Sequence, residues 1–232
     1  IDFGWLLPNV NTIQITVFLS FCFTTILIVG IINAFNWLDG LDGLASGLIS
    51  ISSLGFGILS FSFEAGSEIF IMFSLLGASI GFLYYNFYPA KIFMGDSGSY
   101  FLGSLIAFYS IYLLNLDKID NPNNINLSTV ILILFVPLFD MFYVVLKRVL
   151  KSNSPFFPDR RHIHHRILRL GFNHRDTVIF CYLLSFFFTT IALVNVYPQS
   201  RFYLILLSIT LNIFFIKLHF EKFSYITRKL LK

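Results

Sequence analysis

Charge is what this chain has least of: 16 basic and 12 acidic side chains stand among 232 residues, 56% of them hydrophobic and 19% aromatic. A water-soluble core of that length needs a polar coat that so few ions cannot supply. With a mean hydropathy of +0.79, the composition is that of a membrane protein. Cysteine is almost absent. Cys22 and Cys181 both lie inside apolar runs with no CxxC partner, which excludes a disulfide scaffold and a thiolate metal centre and leaves them as packing residues. No charged n-region with a cleavage site opens the chain, so the first apolar run is not a signal peptide. Segments of about ten residues alternating in polarity are missing too, which excludes a transmembrane barrel. Internal repeats and low-complexity linkers are likewise absent.

Long apolar runs are what the chain does have. A hydrocarbon core of roughly 30 Å takes about 20 helical residues to cross. Seven runs approach that length: Ile13 to Ile32, Leu44 to Phe63, Ile69 to Phe87, Tyr100 to Leu116, Thr129 to Leu146, Val178 to Val196 and Phe202 to Phe220. An unpaired strand cannot satisfy its backbone in lipid, so each run is read as a helix. The expected fold is all-α, a polytopic integral membrane helical bundle of about seven transmembrane helices, with residues 1–232 as a single membrane domain.

The polar connections fall into two alternating sets. One holds 33–43, 86–99, 147–176 and the tail from Lys217, and it carries 14 of the 16 Lys and Arg residues; the other holds only Lys118 and Arg201. The positive-inside rule puts the first set in the cytoplasm. An odd number of spans then starts the chain outside and ends it inside, where the basic tail can also meet anionic headgroups. Residue 1 is Ile rather than Met, and the reading expects a fragment of a longer protein.

Three motifs on the cytoplasmic side carry chemistry. In the first, Asn33 to Gly47, two carboxylates and two carboxamides interrupt apolar sequence. Asn36, Asp39 and Asp42 are spaced three apart, so on a helical turn they would share one face. Each Asp precedes a Gly, which suits a tight turn with exposed amides. Oxygen ligands beside free N–H groups fit a magnesium and phosphate site, against the alternative of a plain polar turn. The second motif, Asn86 to Ser99, sets Asp96 between Gly95 and Gly98 just before the next span. These residues let backbone approach a phosphate, Ser99 is expected to cap the following helix, and Lys91 supplies a point charge. The alternative is a capped helix start with Lys91 snorkelling to the interface.

The third motif is Pro155 to Gly171, rich in His and Arg. A short helix over Arg161 to Leu170 would put His162, His165, Arg166 and Arg169 on one face, with Ile163, Ile167 and Leu170 opposite, facing the membrane. Imidazoles and guanidiniums at that density suit a diphosphate or a phospholipid headgroup. A zinc site from His162, His164 and His165 and a solvated basic loop are the competing readings. Asp140, inside the fifth span, is either a supporting site residue or a structural partner. Tyr84, Tyr85 and Tyr88 read as interface-belt aromatics.

Together the motifs Asn33-x-x-Asn36-x-x-Asp39-Gly-x-Asp42-Gly-Leu-Ala, Phe93-Met-Gly-Asp96-x-Gly-Ser99 and Pro158-Asp-Arg-x-His162-Ile-His-His165 resemble, in order and spacing, those of the polyprenyl-phosphate N-acetylhexosamine-1-phosphate transferases of glycosyltransferase family 4 type. The likeness is greatest to the bacterial undecaprenyl-phosphate GlcNAc-1-phosphate transferases. It implies transfer of GlcNAc 1-phosphate from a UDP-N-acetylhexosamine to undecaprenyl phosphate with release of UMP, in the lipid bilayer of the bacterial inner membrane. Magnesium is the implied cofactor, with manganese as a substitute; a homodimer is compatible, and no nucleic-acid partner is expected. The resemblance assigns Asp96 and Asn36 to the metal, Asp39, Asp42 and Asp96 to catalysis, and Asn33, Lys91, Arg160, Arg161, His162, His164, His165 and Arg166 to substrate binding.

That family carries an Asp-Asp pair in an earlier cytoplasmic loop, proposed to handle the lipid phosphate, and this sequence has no replacement for it. The chain therefore resembles the C-terminal two-thirds of the family fold. The form of the histidine motif resembles the GlcNAc branch more than the phospho-MurNAc-pentapeptide transferases of peptidoglycan synthesis, which remain the alternative. A transporter would place ionisable groups in mid-span rather than at one face. A non-catalytic scaffold would fit the missing Asp pair.

Overall fold

A computed structural model describes residues 12–61, 69–116, 125–151, 154, 162–197, 199, 201, 205, 208–210 and 213. Eight helices are described: α1 (Thr12–Leu38), α2 (Leu44–Ser60), α3 (Ile69–Asn86), α4 (Gly95–Leu116), α5 (Leu127–Ile133), α6 (Phe135–Val149), α7 (Ile163–Arg169) and α8 (His174–Val196). Four of them, α1, α3, α4 and α8, are long and apolar enough to cross a membrane. The protein is a multi-pass helical membrane protein. The expected seventh span, 202–220, and Arg160 and Arg161 lie outside the described residues apart from isolated positions in that span.

The short helix α2 is the centre of the bundle, with 14 of its 17 residues buried. Its sequence explains why. Ser and Gly recur along it, so neighbouring helices come close and pack without a hydrophobic driving force. At Gly47 an added Cβ would sit 2.1 Å from the Tyr182 ring of α8, and at Gly55 one would sit 2.7 Å from Thr189. The pair α1 and α4 uses the same device: a Cβ on Gly103 would lie 3.2 Å from the Cα of Ile32. Both cysteines are free, Cys181 buried and Cys22 half-buried.

The expected fifth span, Thr129 to Leu146, is not one helix. It is broken at Leu134, and α5 and α6 meet at 89°. Pro137 accounts for the break, because it has no N–H for the carbonyl of Ile133 and its ring clashes with that carbonyl. Two other expectations are corrected. Of the three apolar residues expected to face the membrane from this segment, two turn to the protein: Ile167 is buried in the core and Ile163 packs against it, whereas Leu170 is exposed. The fourth helix begins at Gly95, not Tyr100, so Ser99 stands within its first turns instead of capping it. Gly95 has a φ of 67°, a left-handed value that costs a glycine nothing.

Candidate active site

All three motifs meet at one end of the bundle, where α1, α3 and α6 finish and α2, α4 and α8 begin. Because α1 stops at Leu38, Asn36, Asp39 and Asp42 do not share a helical face. Asn36 sits in the last turn of α1, and both aspartates lie on the turn that joins it to α2. Gly43, with φ 81°, reverses the chain there. From this turn the two carboxylates reach different places. Asp42 accepts the N–H of Ala90 at 3.0 Å, whereas Asp39 faces the start of α4 and accepts the Gly95 N–H.

Asn36 donates from Nδ2 to Asp96 Oδ1 and to Ser99 Oγ, each at 3.0 Å, and Ser99 Oγ donates to the Asp96 carbonyl at 3.2 Å. Asp96 occupies the first turn of α4, where the helix dipole favours a carboxylate. Burial pushes the Asp39 carboxyl up to about 6, and the Asp96 charge adds to that rise against the Gly95 hydrogen bond. Two carboxylates and one carboxamide thus share a cleft in which negative charge is already in excess.

Asn86 ties the first two motifs together from beneath. Only 3% exposed, it accepts from Gly43 N–H and Ser46 Oγ at 3.0 Å and donates to the Ile92 carbonyl at 2.9 Å. Tyr182 on α8 donates to the Gly43 carbonyl. Tyr88, an exposed tyrosine expected in an interface belt, stacks on His174 with ring centroids 4.5 Å apart, and Arg175 Nε donates to its carbonyl at 3.3 Å. Asn86 had a sequence signal, a carboxamide at the very end of an apolar run. Tyr182 had none, since it sits within one.

The histidines arrive on α7. His162 precedes it as N-cap and is held by Asp140, whose Oδ2 lies 2.7 Å from His162 Nδ1 and whose Oδ1 accepts the Ile163 N–H at 2.5 Å. Of the two roles open to Asp140, it fills that of partner to the histidine segment. Trp37 packs edge-on against His162 at 6.0 Å, and the Arg148 guanidinium covers Trp37 at 4.7 Å. His164 is buried, and a Cβ on Gly40 would lie 3.2 Å from its Nε2, so it closes over the Asp39-Gly40 turn. Burial holds its imidazole down at about 3, with His165, His162 and His174 adding to the shift. His164 is therefore neutral at physiological pH, and its Nδ1 has no hydrogen-bond partner among the described residues.

Other expected residues stand apart. Arg166 is exposed and lies over the Tyr143 ring at 4.7 Å. Two positions from His164 on a helix of 3.6 residues per turn, it points to the other side. Lys91 is exposed, and Asn33 donates to the Val29 carbonyl of its own helix at 2.8 Å. Among the described residues no three His, Cys, Asp or Glu side chains converge on a metal position, which removes support for the zinc reading. The donors beside Asp96 do fit magnesium, which takes one or two carboxylates and fills its other positions with water and substrate oxygens.

The family model for glycosyl transferase family 4 matches residues 3–114, which hold the first two motifs. A Bacillus subtilis protein named "Probable undecaprenyl-phosphate N-acetylglucosaminyl 1-phosphate transferase" is 41% identical over 178 residues, covering 76% of this chain and 48% of that protein. The chain is similar to glycosyl transferase family 4 over that stretch. Its similarity to other relatives is comparable. A decaprenyl-phosphate N-acetylglucosaminephosphotransferase of Mycobacterium leprae is 36% identical over 192 residues, 76% of this chain and 48% of that protein. An undecaprenyl-phosphate alpha-N-acetylglucosaminyl 1-phosphate transferase of Escherichia coli is 34% identical over 173 residues, 72% of this chain and 46% of that protein. The chain thus spans about half the length of the curated relatives it matches.

Proposed function

We propose that the protein carrying this chain transfers N-acetylglucosamine 1-phosphate from UDP-GlcNAc to undecaprenyl phosphate and releases UMP. An oxygen of the lipid phosphate attacks the β-phosphorus of the nucleotide sugar. The bond from that phosphorus to the bridging oxygen breaks, and the oxygen leaves with UMP. The observation that carries this reading is the meeting of Asn36, Asp39 and Asp96 at the start of α4, with His164 against the neighbouring Gly40. The names of the family relatives support the same donor sugar and lipid class.

Asp96 and Asn36 would hold a magnesium ion, which when bound neutralises diphosphate charge as it builds on the leaving group. This chain's own residues do the rest. Asp39 lines the metal side of the cleft, and Asp42, braced on Ala90, lines the side toward the sugar. His162, His164 and His165 close over the nucleotide sugar from α7, where a neutral His164 offers a hydrogen bond without adding charge. The same reading puts the cleft on the cytoplasmic face of a bacterial inner membrane, since in the sequence the set of connections that carries the three motifs holds 14 of the 16 basic residues. The test is UMP release by the full protein in detergent with undecaprenyl phosphate, UDP-GlcNAc and magnesium. Release that needs the lipid and stops with EDTA is expected. No release with any UDP-N-acetylhexosamine would overturn the reading.

A further inference from the structure

Gly43 is the point at which the chain turns from Asp42 into α2. With φ 81° and no side chain, it is the residue of that turn with the most rotational freedom. Two neighbouring helices take that freedom away. From α3, Asn86 Oδ1 accepts the Gly43 N–H at 3.0 Å. From α8, the Tyr182 hydroxyl donates to the Gly43 carbonyl. The bare flank of Gly47 admits the phenol, since a Cβ there would lie 2.1 Å from the Tyr182 oxygen.

Packing alone does not account for this hydroxyl. A phenylalanine would fill the same space beside Gly47. The Gly43 carbonyl also accepts the Gly47 N–H at 3.0 Å, the opening bond of α2, so it has a partner without the phenol. What the hydroxyl adds is a fixed direction for the peptide that follows Asp42. The same helix braces the other side of Asp42. Its Oδ2 accepts the Ala90 N–H, and the segment carrying Ala90 is tied to the start of α8 through Tyr88, by the His174 ring and by Arg175 Nε. The backbone after Asp42 and the amide its carboxylate meets are thus both fastened to α8, at points about two turns apart. We propose that Tyr182 is a positioning residue: by holding the Gly43 carbonyl it sets where the Asp42 carboxylate projects. Its part in turnover rests on the transfer reaction proposed above. The bond from Asn36 to Asp96 joins α1 to α4 without passing through Gly43, so the metal side of the cleft keeps its geometry when the phenol oxygen is removed.

The test is Tyr182→Phe in the full protein in detergent, read in two ways. Amide hydrogen exchange followed by mass spectrometry needs no activity. Faster exchange is expected in the peptide holding Ala90, whose N–H loses its fixed acceptor, with α4 unchanged; unaltered exchange at Ala90 would overturn the proposal. UMP release is the second reading. Misplacing a group by about 1 Å from a distance can cost about a hundred-fold, so a fall of about ten- to a hundred-fold is expected. The magnesium concentration for half-maximal rate should stay where it is. In an Asp42→Asn background the same substitution should cost less than about two-fold, because the group it positions is already lost. An equal factor in both backgrounds, as for a merely structural tyrosine, or full activity of folded Tyr182→Phe, would overturn the proposal. If Tyr182→Phe does not fold, Gly47→Ala displaces the same ring and replaces it in both readings. If the wild type releases no UMP, the transfer reading falls and exchange at Ala90 decides on Tyr182.

Discussion

Asp140 and His162, 22 positions apart in sequence, meet at 2.7 Å with Asp140 only 2% exposed. The other oxygen of the same carboxylate takes the N–H of Ile163. One side chain from the bent α6 therefore fixes both the histidine before α7 and the first peptide of that helix. One carboxylate of α6 thus holds the histidine segment at two points.

Asp140→Asn can keep only part of that pattern, because a carboxamide has one acceptor oxygen where the carboxylate has two. A loss of about 1 to 3 kcal/mol is expected for a buried group left unpaired. Thermal unfolding in detergent measures it. The double variant with His162→Ala should lose less than the sum of the single losses, and strict additivity would show that the two residues do not act as a unit.

Gly47→Ala puts a methyl where Tyr182 already is, and overpacking of this kind costs about 1 to 3 kcal/mol. Gly77→Ala is the control, since nothing lies within 4 Å of the added carbon. Helix propensity predicts that Gly77→Ala raises the melting temperature slightly. A matched response of the two variants would contradict the close approach of α8 to α2.

Asp96→Asn should lower UMP release by about a hundred-fold or more, on the scale of losing one electrostatic stabiliser, and weaken the magnesium dependence. Asp42→Asn should lower release while leaving the magnesium concentration for half-maximal rate nearly unchanged, because Asp42 is braced on Ala90 away from Asp96. A magnesium titration of both variants separates the two roles.

His164 sets a pH dependence of stability. Its folded-state value of about 3 lies below the ordinary 6.5, so between these limits the unfolded chain binds a proton that the folded chain does not. Stability on this account is level above pH 6.5 and falls as pH drops from there toward 3. His164→Gln should flatten the fall between pH 6.5 and 5 in thermal melts at stepped pH. An unchanged slope would place the origin elsewhere.

Much of the site could be read from the chain itself, because its residues interrupt apolar sequence. Asn36, Asp39 and Asp96 stand out where lipid-facing side chains would otherwise be, and the alternation of basic loops gathers them at one end. The break at Leu134 depends on Pro137, which was visible but lay inside a run whose hydropathy suggested one continuous span. The packing of Ile163 and Ile167 into the protein was hidden for a different reason. In a membrane protein an apolar helix face suits either lipid or protein, so periodicity alone does not say which. The divergence of Asp39 and Asp42 followed from where α1 stops, and helix ends are the least legible feature of any sequence.

The contact between Gly103 and Ile32 has a consequence for changes in chain length. Helices α1 and α4 run in opposite directions, and Gly103 meets Ile32 four residues from where Ser99 meets Asn36 on both strands of the pair. The two contacts are one turn apart on each helix, so the glycine crossing sets the register in which Asn36 reaches Asp96. A single residue inserted between 32 and 36, or between 99 and 103, would swing one partner by about 100° and carry it out of reach. Natural relatives are thus expected to vary in the length of their loops and not in the count of residues across these two short intervals.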